Sequence, residues 1–255
     1  MRSWLDWLAL LGVGVSASLM LMLLGFQAAY TGGGEPLRAL AERDVLHAMG
    51  LTFYSATAAT LLALLLAIPT GYALARWRLP GLWLVEALLI VPVVMSPMAL
   101  GVALLLIFRQ APGLWLARYV VFEVPGIILA QFFVAYAFAV LVIRTTFSGI
   151  DVRLEQVARF LGCTPWQAFR RVTLPLSKRG IVAGFVLGWA RAMGDFGATS
   201  TLAGAVKGKT ETMPVAIYLN LASVSIDRAV ALSIVLTLVT VVGLVLVRLL
   251  VGERR

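Results

Sequence analysis

Two ionisable residues could do chemistry inside an apolar part of this chain. Arg191 and Asp195 lie four residues apart, within a run long enough to cross a bilayer. On a helix, residues at this spacing share a face, so their opposite charges partly offset the cost of burial. Charged side chains at membrane depth usually face an interior or a water-filled cavity, which would place the pair on a transport path or gate. The pair could equally be a structural ion pair that holds helices together, and the residues alone leave both interpretations open.

A second polar interruption lies in another apolar run, where Pro92 and Pro97 flank Ser96. Proline at membrane depth is tolerated where the freed carbonyl groups meet neighbouring helices, water or a cavity. An ordinary proline kink is the alternative interpretation. Two prolines around one serine favour a segment that lines a path. We therefore assign four of these residues to a path or gate: Pro92, Met95, Ser96 and Pro97.

The most polar stretch of the chain is a basic loop at about residues 144–180. Asp151 can cap a short helix that Gly162 closes, and Thr164 can begin a second helix with a capping box. We expect two short helices joined by a glycine elbow with positive φ, and we expect Leu174-Pro175 to end the second helix. A structured loop of this size between apolar spans suits a docking surface for a partner protein.

The same loop resembles the EAA loop of permease subunits of ABC importers, written E-A-A, three residues, Gly, nine residues, I-x-L-P. Gln156-Val157-Ala158 falls on E-A-A, Gly162 on the glycine, and Val172-Thr173-Leu174-Pro175 on I-x-L-P. The family usually has Glu where this chain has Gln156, although Glu155 lies one residue earlier. The resemblance implies that the loop couples the chain to an ATPase through seven residues: Glu155, Gln156, Val157, Ala158, Gly162, Leu174 and Pro175.

Residues 194–199 read Gly-Asp-Phe-Gly-Ala-Thr. They resemble the Gly-Glu-Phe-Gly-Ala-Thr signature of molybdate permeases, with Asp195 replacing Glu. Sulfate permeases more often read Gly-Glu-Tyr-Gly-Ser, so Phe196 and Ala198 favour molybdate or tungstate. The resemblance covers roughly residues 51–250. It extends to the spacing of three earlier residues: Pro92, Pro97 and Gly101.

Hydroxyl groups follow this signature closely. Thr199, Ser200 and Thr201 could donate hydrogen bonds to a passing oxyanion without trapping it as a buried arginine cluster would. The predicted path in this part of the chain therefore includes four residues: Arg191, Asp195, Thr199 and Ser200.

The resemblance implies an assembly in which this chain is the transport subunit. It would form a homodimer around one central path, with two ATPase subunits and an extracytoplasmic oxyanion-binding protein. ATP and Mg²⁺ would bind to the ATPase subunits, which would drive alternating access. Sulfate or thiosulfate is the alternative substrate. An ion-gradient-driven transporter is disfavoured, because the sequence has no inverted repeat or set of intramembrane carboxylates, and a membrane scaffold without transport is a third possibility.

One segment imitates a nucleotide site. Residues 204–210 resemble a P-loop, but three residues separate the glycines instead of four, and a membrane segment precedes them instead of a strand. We therefore expect this chain to bind no ATP and no cofactor of its own, and not to be an enzyme.

The composition places the chain in the membrane class. Mean hydropathy is +0.97, 61% of the residues are apolar and 13% are charged. Soluble domains carry about 25% charged residues. The net charge of +9 is dispersed among apolar spans and indicates no nucleic-acid partner. With one cysteine, Cys163, and one histidine, His47, which we place in a solvated loop, we expect no metal site.

The hydropathy pattern predicts an all-α bundle with about six transmembrane helices in a single permease domain over residues 1–255. The predicted spans cover about residues 7–30, 51–75, 82–108, 124–143, 181–203 and 229–250. With both termini inside, 13 Lys and Arg residues lie on the cytoplasmic side and 7 outside. The bias predicts a multi-pass protein of the cytoplasmic (inner) membrane with both termini and the basic loop in the cytoplasm.

Overall fold

The computed structural model describes residues 4–30, 41–77 and 79–251, and these residues form helices and turns without a strand. The expected all-α fold is confirmed. We number the helices in chain order: α1 (Trp4–Tyr30), α2 (Arg43–Arg76), α3 (Leu82–Val94), α4 (Pro97–Ile107), α5 (Leu114–Val120), α6 (Val124–Ser148), α7 (Val152–Phe160), α8 (Pro165–Ala168), α9 (Leu174–Leu176), α10 (Lys178–Met193), α11 (Gly197–Ala203), α12 (Met213–Ala222) and α13 (Ile226–Val251). A π-helical turn, Phe169–Thr173, joins α8 to α9.

Four helices of the described residues are long and apolar enough to cross a membrane: α1, α2, α6 and α13. Helices α3 and α4 together form a fifth candidate, bent by 115° at the break between Val94 and Pro97. The break follows from the sequence, because Pro97 is at the first position of α4 and the residue before a proline avoids helical geometry. Ser96 is extended, with a ψ of 134°.

The expectation of one continuous helix over residues 181–203 is wrong. Helix α10 ends at Met193, with Gly194 as its C-cap residue, and α11 begins at Gly197. A second correction concerns His47, which we placed in a loop: α2 begins at Arg43, so His47 is an exposed helical residue. The predicted loop residues 31–40 lie outside the described residues.

The core is built where α2, α6 and α10 approach each other closely. A Cβ atom on Gly71 would lie 2.9 Å from Cγ2 of Ile143, and one on Gly188 would lie 3.1 Å from the carbonyl oxygen of Ala135. Gly184 is similarly close to Ile143, at 3.2 Å. Small residues at membrane helix contacts allow such approach and add dispersion contacts between the backbones. Gly184 and Gly188 therefore let α10 pack closely against α6.

Helix α1 stands apart from this core. Its apolar window from Leu10 to Gln27 has none of its residues buried inside the chain. Its apolar surface is therefore available to lipid or to another chain.

We expect Gly71→Leu to destabilise the α2–α6 contact. The added side chain would overlap Ile143, and overpacking of this kind costs about 1–3 kcal/mol in unfolding free energy. Gly50→Leu is the matched control, because Gly50 is on the same helix and has nothing within 4 Å of the added Cβ. Thermal unfolding of both variants in detergent measures the difference. Equal melting temperatures for the two variants would contradict the packing account.

Candidate functional site

The two broken helices meet at their breaks. A Cβ atom on Gly197 would lie 2.8 Å from Cβ of Pro97, and one on Gly101 would lie 2.6 Å from Cβ of Thr201. Helices α4 and α11 therefore pack backbone against backbone. The structure thus brings together the proline segment and the 194–199 signature, two regions assigned separately to one path.

Asp195 lies at the break between α10 and α11 and is fully buried. Its Oδ2 atom accepts hydrogen bonds from the Thr199 backbone N–H, at 2.9 Å, and from the Thr199 hydroxyl, at 2.8 Å. Arg191 is a looser partner: its Nη1 atom is 3.9 Å from Oδ1, and its side chain is 33% exposed. Oδ1 itself has no hydrogen bond. The carboxyl group therefore caps the start of α11, and Arg191 remains a half-buried cation beside it.

The hydroxyl groups after the break already donate hydrogen bonds within the chain. Thr199 donates to Asp195, while Ser200 and Thr201 donate to the Gly197 carbonyl oxygen at 3.3 and 2.7 Å. Donation from these hydroxyl groups to an oxyanion stays a prediction, and it requires these intrachain hydrogen bonds to exchange. For Ser200 and Thr201 the acceptor is a backbone carbonyl oxygen one turn back in the same helix, a common partner of helical hydroxyl groups.

The proline segment, residues 92–97, forms the break between α3 and α4. Pro92 lies inside α3, Met95 ends that helix, and Pro97 starts α4. Ser96 is exposed, and its side chain makes no capping hydrogen bond. Of the residues predicted to line a path, Ser96 thus keeps a free hydroxyl at the break.

The basic loop has the predicted local structure in its first half. Asp151 accepts a hydrogen bond from the Arg153 N–H at 2.9 Å, and Gly162 has a φ of +93°. Thr164 and Gln167 form the capping box, with hydrogen bonds of 2.9 and 3.3 Å. The second half differs, because Leu174-Pro175 does not end the helix. The chain continues through the π-helical turn into α9, and Pro175 lies in the first turn of α9, where its missing N–H breaks no hydrogen bond of that helix.

Glu155 faces its own bundle. It is 7% exposed and accepts hydrogen bonds from the Thr173 hydroxyl at 2.7 Å, the Tyr72 hydroxyl at 2.8 Å and Arg76 Nε at 2.9 Å. Burial by itself would raise the pKa of Glu155, but hydrogen bonds from Thr173, Tyr72 and Arg76 outweigh it and hold the pKa below its ordinary value. Sequence reasoning missed Tyr72 and Arg76, since both lie about eighty positions away and no local pattern marks them.

The outer face of the loop is exposed and apolar. Phe160 is 90% exposed, Leu161 81% and Trp166 67%. Gln156 and Val157 are exposed beside them, Ala158 and Leu174 are half-buried, and Gly162 and Pro175 are exposed. A groove of about 590 Å³ runs along this face, lined by Gln156, Arg159, Phe160, Cys163 and Pro165. Exposed apolar patches rimmed by polar residues mark protein interaction sites.

The P-loop-like segment is a turn between α11 and α12. Gly204 and Gly208 both have a φ of +74°, and helices precede and follow the turn. The strand–loop–helix context of a nucleotide-binding P-loop does not occur in the residues that the structure describes.

Comparison with known proteins assigns the family. Residues 59–253 match the family described as the binding-protein-dependent transport system inner membrane component. The chain belongs to this family of ABC importer permeases.

Two relatives illustrate the range of the similarity. A probable molybdenum ABC transporter permease protein of Haloferax volcanii is 37% identical over 81% of this chain and 76% of its own length. The sulfate transport system permease protein CysW of a Synechocystis strain is 32% identical over 88% of this chain and 84% of its own length. These relatives are named for different anions, so similarity leaves the substrate open.

The fold also matches a solved transporter. A bacterial alginate ABC transporter, crystallised in complex with an alginate pentasaccharide-bound periplasmic protein, contains a chain with a TM-score of 0.71 to this one. The match covers 96% of this chain and 92% of that chain at 17% identity. At this identity the match shows a shared fold.

We expect Thr199→Val to destabilise the break between α10 and α11. The change keeps the shape of the side chain but removes a hydroxyl donor from the buried Asp195 carboxyl, a loss that costs about 1–3 kcal/mol. Thr201→Val is the matched control, because its hydroxyl donates to a backbone carbonyl of its own helix, and its loss should be smaller. Chemical or thermal unfolding of both variants provides the comparison. A larger loss for Thr201→Val would refute the capping role of Asp195.

Proposed function

We propose that this chain is the path-forming subunit of an ATP-driven importer of molybdate or tungstate. The observation that carries the proposal is the exposed apolar face of the loop from Val152 to Pro175, built outside the membrane spans on two capped helices. A surface with Phe160 and Leu161 this exposed is costly in water unless a partner covers it. A separate ATPase subunit is the partner that an importer of this family requires.

The 194–199 signature supports the choice of anion. It lies at the α10–α11 break, where α4 packs against α11 and where the half-buried Arg191 supplies a positive charge. Non-helical backbone at membrane depth is tolerated in protein interiors or along water-filled cavities. In a homodimer, two copies of this region would face each other across the central path, and ATP binding would draw the two loops together to change access.

The remaining parts of the proposal concern partners and orientation. An extracytoplasmic binding protein would deliver the oxyanion to the side opposite the loop. Both termini and the loop would lie in the cytoplasm, in agreement with the excess of Lys and Arg on that side. The chain itself would hold no ATP, Mg²⁺ or other cofactor.

Sulfate uptake is the second candidate, because the Synechocystis relative named as a sulfate permease covers 88% of this chain. Reconstitution of the complex with its binding protein in proteoliposomes containing ATP distinguishes the two. We expect ATP-dependent uptake of molybdate or tungstate in preference to sulfate. Preferred sulfate uptake would support the second candidate. Uptake driven by an ion gradient without ATP, or no flux of any oxyanion, would overturn the proposal of an ATP-driven importer.

We expect Gly162→Leu to weaken binding of the ATPase subunit. At a φ of +93° a side chain costs roughly 1–2 kcal/mol of local strain, and it would project from the exposed apolar face of the loop, to which the ATPase subunit is proposed to bind. Gly208→Leu is the matched control: Gly208 has a φ of +74° and equally open surroundings, but it lies outside the loop. Co-purification and ATP hydrolysis stimulated by the loaded binding protein give the readout. Normal assembly and full stimulation in Gly162→Leu would contradict the proposal that the ATPase subunit binds at this face of the loop.

A further inference from the structure

The end of α2 at Arg76 is joined to the basic loop by one carboxylate, that of Glu155. Glu155 of α7 contacts Tyr72 and Arg76, which lie one turn apart on α2, and Thr173, which ends the π-helical turn in the second half of the loop. Arg76 adds a second contact through Nη2, 2.8 Å from Glu155 Oε1. Both charged side chains are at most 10% exposed. The carboxylate thus joins its own helix α7 to two other segments, α2 and the π-helical turn, and both of its oxygens are used.

Aromatic packing reinforces the same junction. The ring of Tyr72 packs edge-on against Phe169 of the loop, at 4.9 Å between centroids, and against Phe147 of α6, at 5.7 Å. The hydroxyl of the same tyrosine donates to Glu155. Rings and carboxylate together leave the loop little freedom to tilt relative to α2.

From this junction we infer that Glu155 is a positioning residue that makes the basic loop and α2 a single rigid body. A movement imposed on the loop is then transmitted to α2. The inference deepens the proposed function, on which its link to ATP rests. Glu155 therefore acts inside the chain, and the ATPase-facing surface consists of the exposed residues around it.

Helix α2 can carry the movement toward the path. It packs along α6 through Gly71, and farther from the loop its Thr57 hydroxyl accepts a hydrogen bond of 3.1 Å from the Trp189 indole N–H. Trp189 lies on α10, one turn before the break that Asp195 caps. A continuous series of packed contacts thus runs from Glu155 to the α10–α11 break.

Glu155→Gln tests the inference with almost no change in side-chain volume. In the reconstituted complex, we expect the amount of oxyanion moved per ATP hydrolysed to fall by about 2- to 30-fold while the ATPase subunit stays bound. Glu86→Gln is the matched control. It removes another ion pair, between Glu86 of α3 and Arg144 of α6, and leaves Glu155 and its three partners unchanged. The control should keep the parental ratio.

A double variant separates positioning from stability. Glu155→Gln leaves Arg76 buried without its counter-charge, so part of its effect is a lower melting temperature. Combining it with Arg76→Gln removes the unpaired charge. We expect the double variant to regain melting temperature while its transport ratio remains low. Recovery of both quantities would assign Glu155 a purely structural role and overturn the inference, as would a parental ratio in Glu155→Gln.

A distance measurement keeps this inference distinct from the proposed function. Spin labels at the exposed positions Arg153 and Trp77, in a Cys163→Ser background, report the separation of α7 from the end of α2. In the full chain we expect a narrow distance distribution that is the same with and without trapped ATP and that broadens in Glu155→Gln. A change of distance between nucleotide states in the parent would refute the rigid body even where transport is normal. If the parent moves no oxyanion, the proposed function fails while the distances still decide this inference.

Discussion

Close approach of three helices is the constraint on which the rest of this structure depends. In a bilayer the hydrophobic effect does not drive helices together, so their association relies on dispersion contacts between closely packed backbones. Glycine and alanine supply that approach along α2, α6 and α10, where Ala56, Ala59 and Ala63 are completely buried. The resulting core is rigid enough to hold irregular backbone beside it.

The two helix breaks use this support. Backbone groups freed at membrane depth must find partners within the protein. At the α10–α11 break, the Asp195 carboxyl accepts from the Thr199 N–H, which otherwise lacks a helical partner at the start of α11. At the α3–α4 break, prolines remove N–H groups that would need such partners. The two breaks lie against each other, so each packs against the irregular backbone of the other.

The loop solves a different problem. Its apolar outer face is exposed, so its own fold cannot rely on burying that face. Caps at Asp151 and Thr164 and the inward-facing Glu155 hold it instead. The loop is thereby fixed to the bundle on one side and open on the other, which is the arrangement that the proposed coupling to an ATPase subunit requires.

The sequence by itself determined the class of fold, because apolar runs of this length have no alternative to membrane helices. It also determined the caps, the positive φ at Gly162 and the proline break, because these depend on neighbouring residues along the chain. Tertiary structure alone decided that the run of residues 181–203 breaks at Asp195 and that the Thr199 hydroxyl donates a hydrogen bond to the carboxyl group of Asp195. It also decided that Glu155 faces Arg76 and Tyr72. Glu155 meets residues far away along the chain, and the α10–α11 break packs against the equally distant Pro97 and Gly101 of α4, so the linear pattern carries no record of either approach.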